Sequence, residues 1–169
     1  MLNQVKKTKA NQKGFTIIEV LIVLAIAGLI ILIVFLAVPA LQRNSRNTTK
    51  RSDVSKALGA VGEFTANNNG KVPVTADLPS LTATANLSGN TTFNAVIPTT
   101  VAGIVAPAQG EVEIVTGVVC NSAATHVTAA APKATDYQGE VTAGSTRAVV
   151  ALFSVEASGG KATTQCQGS

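Results

Sequence analysis

Few residues in this chain are placed to do chemistry, and the most conspicuous is a single carboxylate. From Phe15 to Leu41 the sequence runs through 27 residues, of which Glu19 alone is charged. An isolated carboxylate is costly to bury in an apolar medium and is functional by default. Lys13-Gly14 stands directly before this run, behind a short leader that is rich in lysine and free of acids. Elsewhere the inventory is thin. His126 is the only histidine, and Asp53, Asp77 and Asp136 are isolated, so no calcium site is visible. Gly160-Lys161 is followed by Ala162 and lacks the upstream glycine spacing of a phosphate loop. There is no nucleophile elbow and no dinucleotide fingerprint. With one histidine and scattered acids, neither an acid–base pair nor a metal site can be assembled. The expectation is a protein without catalytic residues, cofactor or metal.

The N-terminal pattern resembles that of the type IV pilins and the pseudopilins of type II secretion. Their motif joins a Lys/Arg-Gly cut site, an aromatic first mature residue and a glutamate at the fifth mature position, here Lys13-Gly14, Phe15 and Glu19. The resemblance is strong from about Lys13 to Pro73 and weak beyond. It implies cleavage between Gly14 and Phe15, N-methylation of Phe15, and subunit assembly through Phe15 and Glu19. An ordinary secretory signal is cut after its apolar run, whereas here the marked site precedes it. Gly28 matches a glycine common at the fourteenth mature position; Pro39 lies further along than the family's usual proline. Together they are the expected helix kink, since proline removes the hydrogen bond to the carbonyl of Phe35.

Length allows one modest domain plus a helix. Tryptophan is absent and six residues are aromatic, so the core must come from Val, Ala, Leu, Ile and Thr. Four of the thirteen cations, Lys6, Lys7, Lys9 and Lys13, precede Gly14; the remaining nine balance nine Asp and Glu. The high isoelectric point therefore describes the leader. Nucleic acid stays open as a partner but has no support from the mature charge. Cys120 and Cys166 lack metal-ligand spacing, and outside the cytoplasm they are expected to form a disulfide.

The elements that must position these residues follow from periodicity. Residues 15–41 are apolar on every side, a membrane-spanning or wholly buried helix of about 40 Å. Arg43, Arg46, Lys50 and Arg51 follow, either as a lipid or subunit contact or as a solvated face. Val54, Ala57, Leu58, Val61 and Phe64 then form a helical stripe, with Asp53, Lys56 and Glu63 off it. Asn67-Asn68-Asn69-Gly70 and Pro73 stop the helix. Residues 72–110, punctuated by Pro73, Pro79, Pro98 and Pro107, read as loop with one or two short strands. Three Asn-x-Ser/Thr triplets, at Asn47, Asn86 and Asn90, read as chance matches. Strands are expected over 111–120 with Glu111 and Glu113 on a wet face, over 146–156 as a central strand, and over 137–142 and 162–166. Gly159-Gly160 reads as a hairpin turn.

The fold class is thus α+β: a long N-terminal helix packed on a small antiparallel sheet of about four strands. The divisions expected are a cleaved leader (1–14), a transmembrane or filament-core helix (15–41), its amphipathic continuation (42–69), and a variable loop with the sheet (70–169). The resemblance implies a homo-oligomeric pilus filament, served by a prepilin peptidase/methylase and the pilus assembly machinery, and membrane lipid before assembly. It places the leader in the cytoplasm and the sheet outside. The rival expectations are a pseudopilin or minor pilin, and a single-span anchored binding module that never polymerises.

Overall fold

A stretch of Leu, Ile, Val and Ala without a polar face can satisfy its backbone only as a helix when it meets lipid. In the structure, a computed structural model describing residues 14–89, 91–93 and 101–168, that stretch opens helix α1, Ile17–Asn67. The basic leader ahead of Gly14, Asn90 of the third glycosylation triplet, and Pro98 lie outside the described residues. The chain divides into two units, Met1–Leu41 and Gln42–Ser169.

In the first unit, α1 runs on through Gly28 and Pro39. Every residue from Ile17 to Leu41 is exposed. A window of this helix reaches a mean hydropathy of 3.4 with none of it buried inside the chain.

In the second unit α1 becomes two-sided. Val54, Ala57, Leu58 and Val61 are buried and Phe64 packs beside them, together with Ala60. The helix ends where Asn69 and Gly70 adopt positive φ, and the Gly70 N–H donates to the carbonyl of Thr65 at 2.8 Å. This is the left-handed stop that Asn and Gly permit.

The expected loop after Pro73 contains a helix instead, α2, Leu78–Ala85. Pro79 occupies its first turn, where a missing N–H costs nothing, and Leu81 and Ala85 sit buried one turn apart. Prolines in this segment read as breakers, but one of them starts an element.

Strands β1 (Thr92–Phe93), β2 (Glu111–Thr116), β4 (Thr128–Ala129), β6 (Val149–Glu156) and β7 (Ala162–Gly168) form a sheet in the order β1-β2-β6-β7-β4. The β1–β2 pair is parallel and the others antiparallel. Strands β3 (Val118–Cys120) and β5 (Val141–Ala143) pair apart from it. The sheet therefore has one strand more than expected and is not wholly antiparallel. The expected strand over 111–120 is two strands, because Gly117 turns the chain at φ 78°. The expected strand over 137–142 begins inside α3 (Ala134–Gln138), whose Asp136 accepts the Lys133 N–H at 2.8 Å, and the strand itself is Val141–Ala143. Gly159 and Gly160, both at positive φ, make the turn between β6 and β7.

Both faces of the sheet are covered. Val112, Ile114, Ala151, Phe153 and Val155 meet the stripe of α1 together with Leu81 and Ala85. Val115, Val150 and Leu152 face the other way, against Ile104, Val118, Tyr137 and Val141. Double cover is why Glu113, expected on a wet face, is only 2% exposed.

Candidate functional site

The chemistry legible in the sequence lies between Gly14 and Glu19, and there the structure adds a local bond network. The N–H and the hydroxyl of Thr16 each donate to Oε2 of Glu19 at 2.8 Å. In return the Glu19 N–H donates to the Thr16 hydroxyl at 3.4 Å. This is a capping box, in which a threonine before the helix and a glutamate three residues on satisfy the open donors of the first turn. Its signal, Thr-x-x-Glu ahead of an apolar run, stands in the sequence, but considering Glu19 only as a charge does not reveal it. Phe15 is 89% exposed. A Cβ added at Gly14 or at Gly28 would meet no atom within 4 Å among the described residues.

Beyond Leu41 the cationic cluster is partly consumed by its own domain. Arg46 forms a two-pronged ion pair with Glu156 at 2.8 and 2.7 Å. Lys50 donates to the carbonyl of Ser154 at 2.9 Å, and burial holds its ammonium below the ordinary lysine range. Glu156 is held below the ordinary carboxylate range, chiefly by its hydrogen bonds from Arg46. Asn47 exchanges two 2.8 Å bonds with the backbone of Glu156, so both polar atoms of this glycosylation candidate are engaged. Neither of the sequence alternatives for Arg46, a lipid or subunit contact or a solvated face, includes this role as a strap onto β6.

Asp53, isolated in the sequence, is fully buried. It accepts hydrogen bonds from the hydroxyls of Ser88 and Thr91 (2.8 Å for Thr91), from the Ser88 N–H at 3.3 Å, and from Lys56 at 3.2 Å. Burial pushes its carboxyl up, but these bonds outweigh burial and hold it below the usual range. Apart from Lys56, three residues on, the partners lie 35 and 38 residues away, and no local spacing announces them.

Cys120 and Cys166 are bonded as a disulfide across 46 residues, with Cα atoms 5.7 Å apart. They pack beside the second core, which also holds buried ionisable groups. Glu113 accepts the Val105 N–H at 3.2 Å, and its other oxygen has no partner among the described residues. Burial raises its carboxyl to about 7. The Tyr137 hydroxyl lies near Ser154 without a well-formed hydrogen bond to it, and burial pushes it up to about 12. Glu140, 1% exposed, accepts from Thr164 at 2.5 Å and meets Nδ1 of His126 at 2.8 Å. Among the described residues no three His, Cys, Asp or Glu side chains converge as metal ligands.

Residues 9–35 match the family described as the prokaryotic N-terminal methylation motif, the leader signature of type IV prepilins and pseudopilins. No curated protein and no solved structure matches the chain. The chain therefore carries the processing signature of a pilin-like or pseudopilin precursor, attached to a helix apolar and long enough to cross a membrane.

Proposed function

We propose that this protein is the structural subunit of an extracellular type IV pilus, with no catalytic role of its own. What carries the proposal is a conjunction: the methylation signature leads into an apolar helix segment that the chain itself does not bury at all. Such a surface is accommodated by lipid before assembly and by identical helices after it. In this reading a prepilin peptidase cuts between Gly14 and Phe15 and methylates the new amine. The leader is then residues 1–14, the filament-core helix 15–41, its amphipathic continuation 42–69 and the exposed domain 70–169. Gly28 and Pro39 give the core helix its freedom to bend, and the disulfide between Cys120 and Cys166 braces the domain outside the cell.

Glu19 has the central role. Its carboxylate meets the Phe15 amine of a neighbouring subunit, and a buried charge with a partner is far cheaper than either charge alone. The capping box supports a second reading. Because Glu19 is satisfied within its own chain, it serves equally well in a membrane-anchored module that never polymerises. A pseudopilin or minor pilin shares the chemistry of the first reading and differs in abundance in sheared filaments.

Two variants at equal subunit levels test the proposal. Gly14→Val should keep the leader, seen as a higher mass, and make no filaments; normal shedding would end the cut-site assignment. Glu19→Ala should lose its leader normally and assemble poorly. Wild-type filament counts from Glu19→Ala would leave the anchored module as the better reading.

A further inference from the structure

The second face of the sheet carries a row of buried polar groups that the filament reading does not use. Glu113 on β2, Ser154 on β6 and Thr164 on β7 are each at most 2% exposed, as are Tyr137 and Glu140 in the layer above them. Two of the polar atoms in this seam, an oxygen of Glu113 and the Tyr137 hydroxyl, have no hydrogen-bond partner among the described residues. An unpaired buried polar atom is costly, and an unpaired buried charge more so.

The arrangement distinguishes the two forms of Glu113. A protonated carboxyl is neutral and can rest in an apolar seam while accepting the N–H of Val105. An ionised carboxylate needs several donors or water. The ionisable groups around it offer no compensation. Tyr137 and Asp136 come from α3, Glu140 follows that helix, and Glu111 lies two residues away along β2. His126 is committed to Glu140. No Lys or Arg forms an ion pair with Glu113 among the described residues.

We propose that this seam is a proton-dependent clamp: a protonated Glu113 keeps the second layer, with Ile104, Val118, Tyr137 and Val141, closed on the sheet, and loss of that proton loosens it. The group binds its proton more tightly in the folded domain than in the unfolded chain, from 4.5 up to about 7. Its stabilising effect is therefore complete below 4.5 and is lost as pH rises through 7. This clamp is tightest in acid.

The test is denaturant unfolding of the full chain in detergent micelles, disulfide intact, across this pH range. The unfolding equilibrium constant of the wild type should rise by about tenfold per pH unit, about 300-fold in all, then level off. Glu113→Gln keeps the volume and cannot ionise, so it should lose that rise. His126→Gln should retain it, which separates Glu113 from the histidine. Equal pH dependence in wild type and Glu113→Gln, or its disappearance in His126→Gln, would overturn the proposal. Should Glu113→Gln not fold, carbon-13 titration of the glutamate carboxyls in the folded wild type decides. One midpoint near 7 is expected, and ordinary midpoints throughout would refute the clamp.

Discussion

Helix α1 holds two stretches that use the same apolar residue types to opposite ends. From Ile17 to Leu41 nothing is buried, and the sequence carries no pattern beyond the Thr16–Glu19 cap. From Asp53 to Phe64 the apolar residues fall on one stripe, which the domain consumes. A uniform apolar surface specifies that burial must occur without specifying against what. A stripe specifies its partner, and here the partner is in the same chain. The difference places intramolecular folding in the second stretch and leaves the first exposed.

The sharpest way to break this contrast is to alter one apolar side chain in each stretch and read the domain. Val61→Asp places an unpaired carboxylate in the helix–sheet core, where Val61 is 1% exposed. It should cost more than about 4 kcal/mol and leave the domain unfolded by circular dichroism. Leu24→Ala, which truncates an exposed side chain, should leave the domain's unfolding midpoint unchanged. A large shift from Leu24→Ala would mean that the first stretch is already spoken for within the chain.

Cys166→Ser opens a loop closed across 46 residues. The chain-entropy model sets the loss at up to about 4 kcal/mol. Free thiols in the denatured, unreduced wild type would contradict the pairing. Asp53→Ala strips four groups, the Ser88 and Thr91 hydroxyls, the Ser88 N–H and the Lys56 ammonium, of their acceptor. A loss of about 2–3 kcal/mol at neutral pH is expected from the stranded donors. Because the folded Asp53 carboxyl is held low, its contribution is present above the ordinary aspartate range and is lost as pH falls through the lower folded value. The deficit of Asp53→Asn relative to wild type should therefore shrink in acid, opposite in sign to the behaviour of Glu113. Last, Thr16→Ala removes half of the capping box and should cost about 1 kcal/mol. Faster amide exchange at Glu19, whose N–H loses the Thr16 hydroxyl as acceptor, would register it.

What is legible in the sequence follows the same division. The apolar run, the stripe and the stop at Asn67–Gly70 depend on local periodicity and turn chemistry, and each is where the pattern puts it. Helix α2 escapes a reading in which Pro79 is a breaker, because a first-turn proline is an initiator. Glu113 falls to the solvent side on alternation alone, which reveals that a strand has two faces but not that both are covered. Asp53 looks isolated because its hydroxyl partners are brought by the fold from far along the chain. At the candidate site, Gly14, Phe15 and Glu19 are named by the resemblance of their pattern to the pilin leader motif. The capping box is just as local, since Thr16 stands three residues before Glu19.

The outer strands of the five-stranded sheet, β1 and β4, are each two residues long. A sheet edge recruits other chains through its row of open N–H and C=O groups, and a short edge presents few of them. Copies of the domain brought together at high density are thereby offered few open groups on these two strands for the commonest wrong way of joining.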